Sequence, residues 1–312
     1  MSILVVGSVA FDSIETPHGR VDHILGGAAT HFALAASFFT DVRVIAVVGE
    51  DFTAEHENVL KKRGVDTRGL EHVKGKSFHW TGSYVKNLNE AETLATELNV
   101  FETFSPKIPQ DYLASDYLFL ANIDPVLQAN VRKQMPKVRM VCGDTMNYWI
   151  TGHGANLAKV LEGLDTLLIN DGEAKLLAKE DNLVLAARKV LAMGPKSLIV
   201  KHGEYGSTAF FSERSFPGAS HTSVATPFRA PALPLDAVVD PTGAGDSFAG
   251  GFFGSLAAEG TVTPQSFKKA MFYGSVMGSF AVEKFGTERV QSLTREEIDA
   301  RFRLFRQLSH LD

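Results

Sequence analysis

The 312-residue chain has one cysteine, no long apolar run and no block of basic residues. The single cysteine, Cys142, excludes a disulfide within the chain and agrees with a reducing compartment such as the cytoplasm. No apolar segment approaches the roughly 20 residues that a membrane-spanning helix requires. The net charge of −5 argues against a general nucleic-acid-binding protein. We therefore expect a cytoplasmic protein with no nucleic-acid partner and no membrane partner.

What the chain does contain is an alternation of short apolar runs and amphipathic segments. The apolar runs predict buried parallel strands at residues 3–6, 43–48, 117–121, 139–142, 166–169 and 197–201. The amphipathic segments predict helices at residues 28–39, 52–63, 125–134, 155–161, 173–179, 183–193, 246–258, 264–282 and 295–308. This order predicts an α/β fold with a doubly wound, mostly parallel central sheet and helices on both faces. Residues 1–7 lack the features of a signal peptide, so we expect them to contain the first strand.

Two stretches interrupt the alternation, at about residues 12–26 and 77–103. Both lack a helical period and carry strand-like residues, and the second resembles a hairpin that turns at residues 87–90. We expect the two stretches to form one small β-sheet that stands off the main sheet. Because no linker or repeat is present, residues 1–312 are expected to form a single domain with this appended sheet.

The most informative segment is Asp-Pro-Thr-Gly-Ala-Gly-Asp-Ser at residues 240–247. It predicts a tight glycine turn between a strand and the N-terminus of a helix, where unpaired N–H groups and the helix dipole bind phosphate. Because the Asp246 carboxylate would repel phosphate, a better explanation for it is a general base that takes a proton from an alcohol. The candidate anion hole is therefore Gly243, Ala244, Gly245 and Asp246. The alternative is that the glycines only let the helix pack closely on the sheet.

Extended to residue 251, this segment resembles the C-terminal signature of the ribokinase-like (PfkB) carbohydrate kinases, which phosphorylate sugars and nucleosides with ATP. The resemblance spans essentially the whole chain and is looser at the substrate end. It implies a ribokinase-like fold, the cofactors ATP and Mg²⁺, and a lid role for the small sheet. It also makes a homodimer formed through the lid a candidate assembly.

The resemblance implies roles for two groups of residues around the nucleotide. Asn170 and Glu173 match an N-x-x-E motif associated with Mg²⁺ held through water, although Glu173 also suits the first turn of a helix. Asp240 and Thr242 are candidates for K⁺ through their backbone carbonyls. The candidate nucleotide-binding residues are Asn170, Glu173, Lys201, Gly203, Gly206, Thr242 and Gly286. The alternative for the 203–206 turn is glycine flexibility alone.

On the acceptor side, the resemblance implies that Asp12 accepts hydrogen bonds from sugar hydroxyls, and a turn role is the alternative. Gly26 and Gly27 would let the backbone approach the sugar. His31 stands where the family carries an asparagine, so the acceptor specificity does not transfer directly, and a packed helix histidine is its alternative. Further candidate acceptor contacts, each with a structural alternative in the lid core or in a turn, are Phe78, Trp80, Asp144 and Asn147.

These observations predict an ATP-dependent phosphotransferase that acts on a hydroxyl of a sugar or similar small molecule. A nucleoside kinase of the same fold, with the base stacked on Phe78, Trp80 or Phe101, is the first alternative. A catalytically silent ligand-binding protein is the second, and the intact Asp246 and N-x-x-E motif argue against it.

Overall fold

The computed structural model describes residues 1–216 and 226–309. The strands in this part of the chain are β1 (Ser2–Val6), β2 (Ala10–Thr16), β3 (Gly19–Gly26), β4 (Asp41–Val48), β5 (Asp66–His72), β6 (His79–Ser83), β7 (Glu92–Glu97), β8 (Tyr117–Leu120), β9 (Met140–Asp144), β10 (Thr166–Asn170), β11 (Ser197–Lys201), β12 (Ser207–Phe211) and β13 (Phe228–Ala230).

The helices in the same residues are α1 (Ala28–Ala36), α2 (Ala54–Lys62), α3 (Pro125–Gln134), α4 (Asn147–Gly152), α5 (Gly154–Leu161), α6 (Asp171–Ala178), α7 (Leu183–Ala192), α8 (Ala244–Glu259), α9 (Pro264–Ala281), α10 (Glu288–Gln291) and α11 (Arg295–Ser309). Short 3₁₀ turns lie at Asn99–Thr103, Tyr112–Ala114 and Gly203–Tyr205. Within the described ranges, no helix combines the length and apolarity that a membrane crossing would need.

Nine strands form the central sheet in the order β13-β12-β11-β10-β9-β8-β1-β4-β5. The pairs from β11 to β5 are parallel, and β12 and β13 add an antiparallel edge. This confirms the predicted mostly parallel sheet. Edge strand β5 was not predicted, because only Thr67 and Leu70 are buried within its polar sequence.

Helices cover both faces of the sheet, as predicted. In β1, Ile3 and Val5 pack into one core with residues of α1, α8 and α9, whereas Leu4 and Val6 pack into a second core with residues of α3, α5, α6 and α7. The alternation arises because successive side chains of a strand point to opposite faces. Helix α8 lies close against α1, since a Cβ on Gly254 would stand 3.0 Å from the Ala36 backbone. Close packing against α1 therefore explains the glycine at this position inside α8, whereas Gly243 serves the turn before the helix.

A separate four-stranded sheet has the order β3-β2-β6-β7. It joins the two predicted stretches, because β2 pairs in parallel with β6 from the second stretch. The Glu90 N–H donates to the Asn87 carbonyl at 3.4 Å, which confirms the predicted turn. Residues Asn99–Thr103 form a 3₁₀ turn instead of the strand that their apolar residues suggested. All six residues of β7 are exposed, so this sheet ends in an open edge.

Candidate active site

The signature segment forms the predicted turn and helix N-terminus. Gly243 caps α8 with a φ of +70°, a conformation that favours glycine, and the Ser247 N–H donates to its carbonyl at 2.8 Å. The Ala244 N–H donates to the Pro241 carbonyl at 3.2 Å, so it is engaged in this conformation. Among the described residues, the N–H groups of Gly245 and Asp246 have no backbone acceptor. The predicted anion hole thus has two donors without a backbone acceptor at the start of α8, of which the Asp246 N–H also approaches the carboxylate of its own residue.

A cluster of carboxyl groups surrounds this helix terminus. Burial raises the pKa of Asp246 to about 6, while the charge of Lys201 lowers it. Asp144 is 7% exposed at the end of β9, and its Oδ1 has no hydrogen-bond partner in the part of the chain that the structure describes. Burial and then the negative charge of Asp246 raise the pKa of Asp144. The structure therefore brings Asp144, Lys201 and Asp246 together, although they lie on three different elements.

Asn170 and Glu173 form a reciprocal capping box at the start of α6. The Asn170 side-chain oxygen accepts the Glu173 N–H at 2.7 Å, and Glu173 Oε2 accepts the Asn170 N–H at 2.8 Å. This is the local role given above as the alternative for Glu173. Within the described residues, no three His, Cys, Asp or Glu side chains are grouped for a metal. The pair still fits hydrated Mg²⁺, which keeps several waters and takes few protein oxygens.

Asp12 lies on β2 and faces the signature from the other side. Asp12 is 5% exposed. Its carboxyl group occupies the space that a Cβ on Gly26 would need, which explains the glycine at position 26. Burial raises the pKa of Asp12 to about 7, a hydrogen bond from the Gly27 N–H lowers it, and the charges of Asp240 and Asp246 raise it. Gly27 has a φ of +93°, and a Cβ there would stand 2.6 Å from the Ser8 carbonyl. The two glycines thus shape the backbone around Asp12.

His31 packs against the signature turn. Its imidazole occupies the space that a Cβ on Gly243 would need, and the side chain is 2% exposed. Neither ring nitrogen has a hydrogen-bond partner within residues 1–216 and 226–309, and burial lowers the pKa of His31 to about 4. A neutral imidazole therefore lies directly behind the first glycine of the anion hole.

The sequence profile of the pfkB family carbohydrate kinases matches residues 2–293. The chain belongs to the PfkB carbohydrate kinase family. A cytidine kinase of Thermococcus kodakarensis is 26% identical over 260 residues, which cover 81% of this chain and 87% of the relative.

Solved structures of ribokinase-like proteins have the same fold. The nucleoside kinase of Burkholderia thailandensis in complex with inosine superposes with a TM-score of 0.74 at 21% identity, covering 97% of this chain and 98% of that one. A putative ribokinase II of E. coli in complex with ATP and Mg²⁺ superposes with a TM-score of 0.75 at 18% identity, covering 98% and 99%. The predicted ribokinase-like fold is confirmed, and the family makes the chain a small-molecule kinase.

Three further predicted residues of this PfkB kinase are exposed or have ring contacts of their own. Asn147 is exposed at the start of α4. Phe78 precedes β6 and stacks on Phe101, with ring centroids 5.6 Å apart. The Trp80 indole lies over Gly82 and donates from Nε1 to Thr93 Oγ1 at 3.2 Å. Phe78 and Trp80 therefore belong to different ring groups and do not form one platform.

The remaining predicted residues shape the backbone at the signature and at the turn between β11 and β12. Asp240 is fully buried and accepts the N–H groups of Thr242 at 2.8 Å and Gly286 at 2.7 Å. Gly286 is thus tied to the signature by its N–H. Gly203 and Gly206 have φ values of +56° and +93° in the turn that joins β11 to β12. The His202 N–H donates to the Gly206 carbonyl at 2.8 Å across this turn.

Two residues of the small sheet reach the site and were not predicted. Tyr84 follows β6 and is 9% exposed; burial, together with the charges of Asp240, Asp12 and Asp246, raises its pKa, and its hydroxyl faces Thr242. Asn89, in the 87–90 turn, occupies the space that a Cβ on Gly203 would need. The strand spacing of Trp80 and Tyr84 was an available signal for a shared face. Nothing local signalled the contact of Asn89, because its partner lies more than one hundred residues away.

Proposed function

We propose that this kinase transfers the γ-phosphoryl group of ATP to a hydroxyl of a sugar or related small molecule. The observation that supports this proposal is the Asp246 carboxylate in the first turn of α8, beside the N–H groups of Gly245 and Asp246, which have no backbone acceptor among the described residues. The acceptor hydroxyl gives its proton to Asp246 as its oxygen bonds to the γ-phosphorus. The bond from this phosphorus to the bridging oxygen breaks, and the electron pair leaves with ADP.

The ionisation of Asp246 suits this role. With a pKa of about 6, the carboxyl group is mostly ionised at neutral pH and can still accept a proton. The N–H donors point to the place where charge develops on the transferring group, and such preorganised donors stabilise a transition state. Asp246 and the start of α8 therefore provide both a base and an anion hole.

The nucleotide and ions are assigned to the residues on the other side of the signature. Asn170 and Glu173 would hold a hydrated Mg²⁺, which neutralises charge on the phosphates. Lys201, Gly203, Gly206 and Thr242 would border the phosphates, and Gly286 the adenine. A K⁺ ion near the carbonyls of Asp240 and Thr242 belongs to the same proposal, as does a cytoplasmic location, where ATP is available and Cys142 stays reduced.

The small sheet is the proposed lid, with its segments at about 12–26 and 77–103 and the whole chain, 1–312, as one kinase domain. The support is that Tyr84 contacts the signature side of the site while Asn89 contacts the Gly203 turn. A sheet held at both places would exclude water from the transfer step. The open edge of β7 would allow pairing with a second copy, which is the proposed homodimer.

Nucleosides are the second acceptor class. The similarity to a cytidine kinase and to a nucleoside kinase bound to inosine favours them. Trp80 and Tyr84 share one side of the lid, with ring centroids 6.5 Å apart, and a partly exposed indole there suits a flat base. Asp12 would bind hydroxyls of a ribose as readily as those of a free sugar.

The test is an ADP-release screen with ATP and Mg²⁺ over hexoses, pentoses, keto-sugar acids and nucleosides, with and without K⁺. Release that depends on one acceptor class, and that is lost in Asp246→Asn, is the expected result. If ATP binds but no acceptor raises ADP release, the kinase proposal fails in favour of a silent ligand-binding protein. Dependence on nucleosides alone would select the second acceptor class.

A further inference from the structure

We propose that Lys201 is a catalytic residue whose ammonium group completes the anion hole, and that position 245 is glycine in order to admit it. This role rests on the phosphotransfer proposed above. Lys201 would then contact the reacting phosphoryl group and not only the border of the bound nucleotide. The glycine at position 245 would serve to leave room for the ammonium group, in addition to its role in the backbone turn.

The end of the Lys201 side chain lies against Gly245. Its Nζ lies 2.7 Å from the position that a Cβ on Gly245 would occupy, whereas its Cε and Cδ lie 3.7 and 3.9 Å from the same position. Gly245 is the second residue of α8, so the ammonium stands at the N-terminus of that helix. The helix dipole disfavours a cation at this end and favours an anion. The helix terminus therefore does not account for the ammonium, which the surrounding acids and a bound anion would stabilise.

Lys201 is also without a direct ion pair. Among the described residues, no carboxylate oxygen lies within 4 Å of its Nζ, whereas Lys189 pairs with Glu180 at 2.8 Å and Lys196 pairs with Asp165 at 2.6 Å. Its charge nevertheless lowers the pKa values of three carboxyl groups. These are Asp144, Glu173 and Asp246. The ammonium thus lies among the acids and keeps its donors available for a further anion.

A phosphoryl group at the start of α8 supplies that anion. The N–H groups of Gly245 and Asp246, which have no backbone acceptor among the described residues, would bind it from the helix. Lys201 would bind it from the end of β11. Negative charge shifts within the transferring group as the bond to the bridging oxygen breaks. A fixed cation and fixed donors at that place stabilise the transition state, and removal of one such donor lowers kcat by about 10²- to 10³-fold.

The short distance from Lys201 Nζ to Gly245 predicts the effect of Gly245→Ala. The added methyl group would meet the ammonium first, and the ammonium is the free end of a flexible side chain. The lysine end would swing away, so the fold should be kept while the cation leaves the hole. Gly245→Ala should therefore behave like Lys201→Met, and the two changes together should cost little more than one of them.

The experiment is a double-mutant cycle of Lys201→Met and Gly245→Ala, with inorganic phosphate as the probe. Phosphate binding is measured by ³¹P NMR and MgADP binding by calorimetry. We expect each single variant to weaken phosphate binding by about 10- to 100-fold, as for a lost charge-assisted hydrogen bond, and to change MgADP binding by less than about threefold. The double variant should weaken phosphate binding by no more than about threefold beyond the stronger single variant. Lys189→Met is the matched control and should bind phosphate like the wild type.

Multiplicative effects in the double variant, or phosphate binding that is unchanged in Lys201→Met, would overturn the proposal. Absence of phosphate binding to the wild-type protein would also overturn it. If wild type and Gly245→Ala have equal Tm values, weaker phosphate binding in the variant is due to displacement of the ammonium and not to loss of the fold. Because this assay needs no acceptor, failure of the ADP-release screen would remove the proposed reaction without deciding the anion site. With an acceptor in hand, Lys201→Met should lower kcat by about 10²-fold or more and leave the acceptor KM unchanged.

Discussion

The proposed phosphate end and the proposed acceptor end of the site differ in how they are built. At the phosphate end, the turn, the N–H groups and Asp246 all come from one short segment, and a capping box orders the neighbouring N-x-x-E motif. At the acceptor end, Asp12, His31 and Tyr84 come from separate elements and meet around the signature.

The difference teaches where chemistry and specificity are encoded. The N–H donors of a helix terminus are a property of the local backbone, so a contiguous motif supplies them, and the proposed anion hole adds only Lys201 from strand β11. Acceptor recognition needs groups held at fixed distances by the whole fold. The two ends should accordingly respond differently to mutation, in turnover at one end and in acceptor binding at the other.

The largest effect is expected at the phosphate end. Asp246→Asn should lower kcat by about 10²- to 10⁴-fold, because the amide cannot take the acceptor proton. ATP binding, measured by calorimetry, should change little. In the wild type, kcat should fall as the pH drops through about 6, since protonation removes the base. Turnover within about tenfold of the wild type would exclude Asp246 as the base.

At the acceptor end, Asp12→Asn should raise the acceptor KM by about 10- to 100-fold, the cost of a hydrogen bond to a charged group, with little change in the ATP KM. Equal increases in the acceptor KM and the ATP KM would contradict the assignment of Asp12 to the acceptor end. Asp41→Asn, at an exposed position, is the matched control.

The same variant has a second, pH-dependent consequence. Burial raises the Asp12 pKa from 3.8 to about 7, so the folded state keeps a proton that the unfolded state has lost between these values. Stability contributed by this group therefore falls as the pH rises from about 4 to about 7. Asp12→Asn escapes this loss, and its Tm relative to wild type should be higher at pH 8 than at pH 4. A pH-independent Tm difference would contradict the assigned ionisation.

A smaller effect is expected from the lid. Tyr84→Phe removes the hydroxyl that faces Thr242 and should raise the acceptor KM by about tenfold, with the ATP KM unchanged. Tyr205→Phe, at a residue that is 65% exposed, is the control. A lowered Tm with both KM values unchanged would show that Tyr84 only packs the small sheet.

The smallest effect is expected at Glu173. Glu173→Gln keeps an oxygen that can accept the Asn170 N–H, so the capping box should survive while the negative charge is lost. The Mg²⁺ concentration at half-maximal rate should rise several-fold. An unchanged Mg²⁺ titration would leave Glu173 with its capping role alone.

Most of the central sheet could be predicted because its strands are continuous apolar runs that are buried on both faces. β5 escaped prediction because it is a polar edge strand, and Asn99–Thr103 escaped because a short apolar segment suits a 3₁₀ turn as well as a strand. The turn at 87–90 was predicted from its residues. Its contact with Gly203 was not, since that contact joins distant parts of the chain.

The amino-acid sequence by itself determined the local devices of this kinase, namely the Gly243 turn, the N–H groups at the start of α8 and the carboxylate of Asp246. These depend on backbone bonding within a few residues, so a short motif specifies them. Only the tertiary structure decided which side chains lie close together. Asp144 and Lys201 lie beside Asp246, and His31 lies behind Gly243. The physical reason is that burial and Coulomb interaction depend on distance in space, which separation along the chain does not provide.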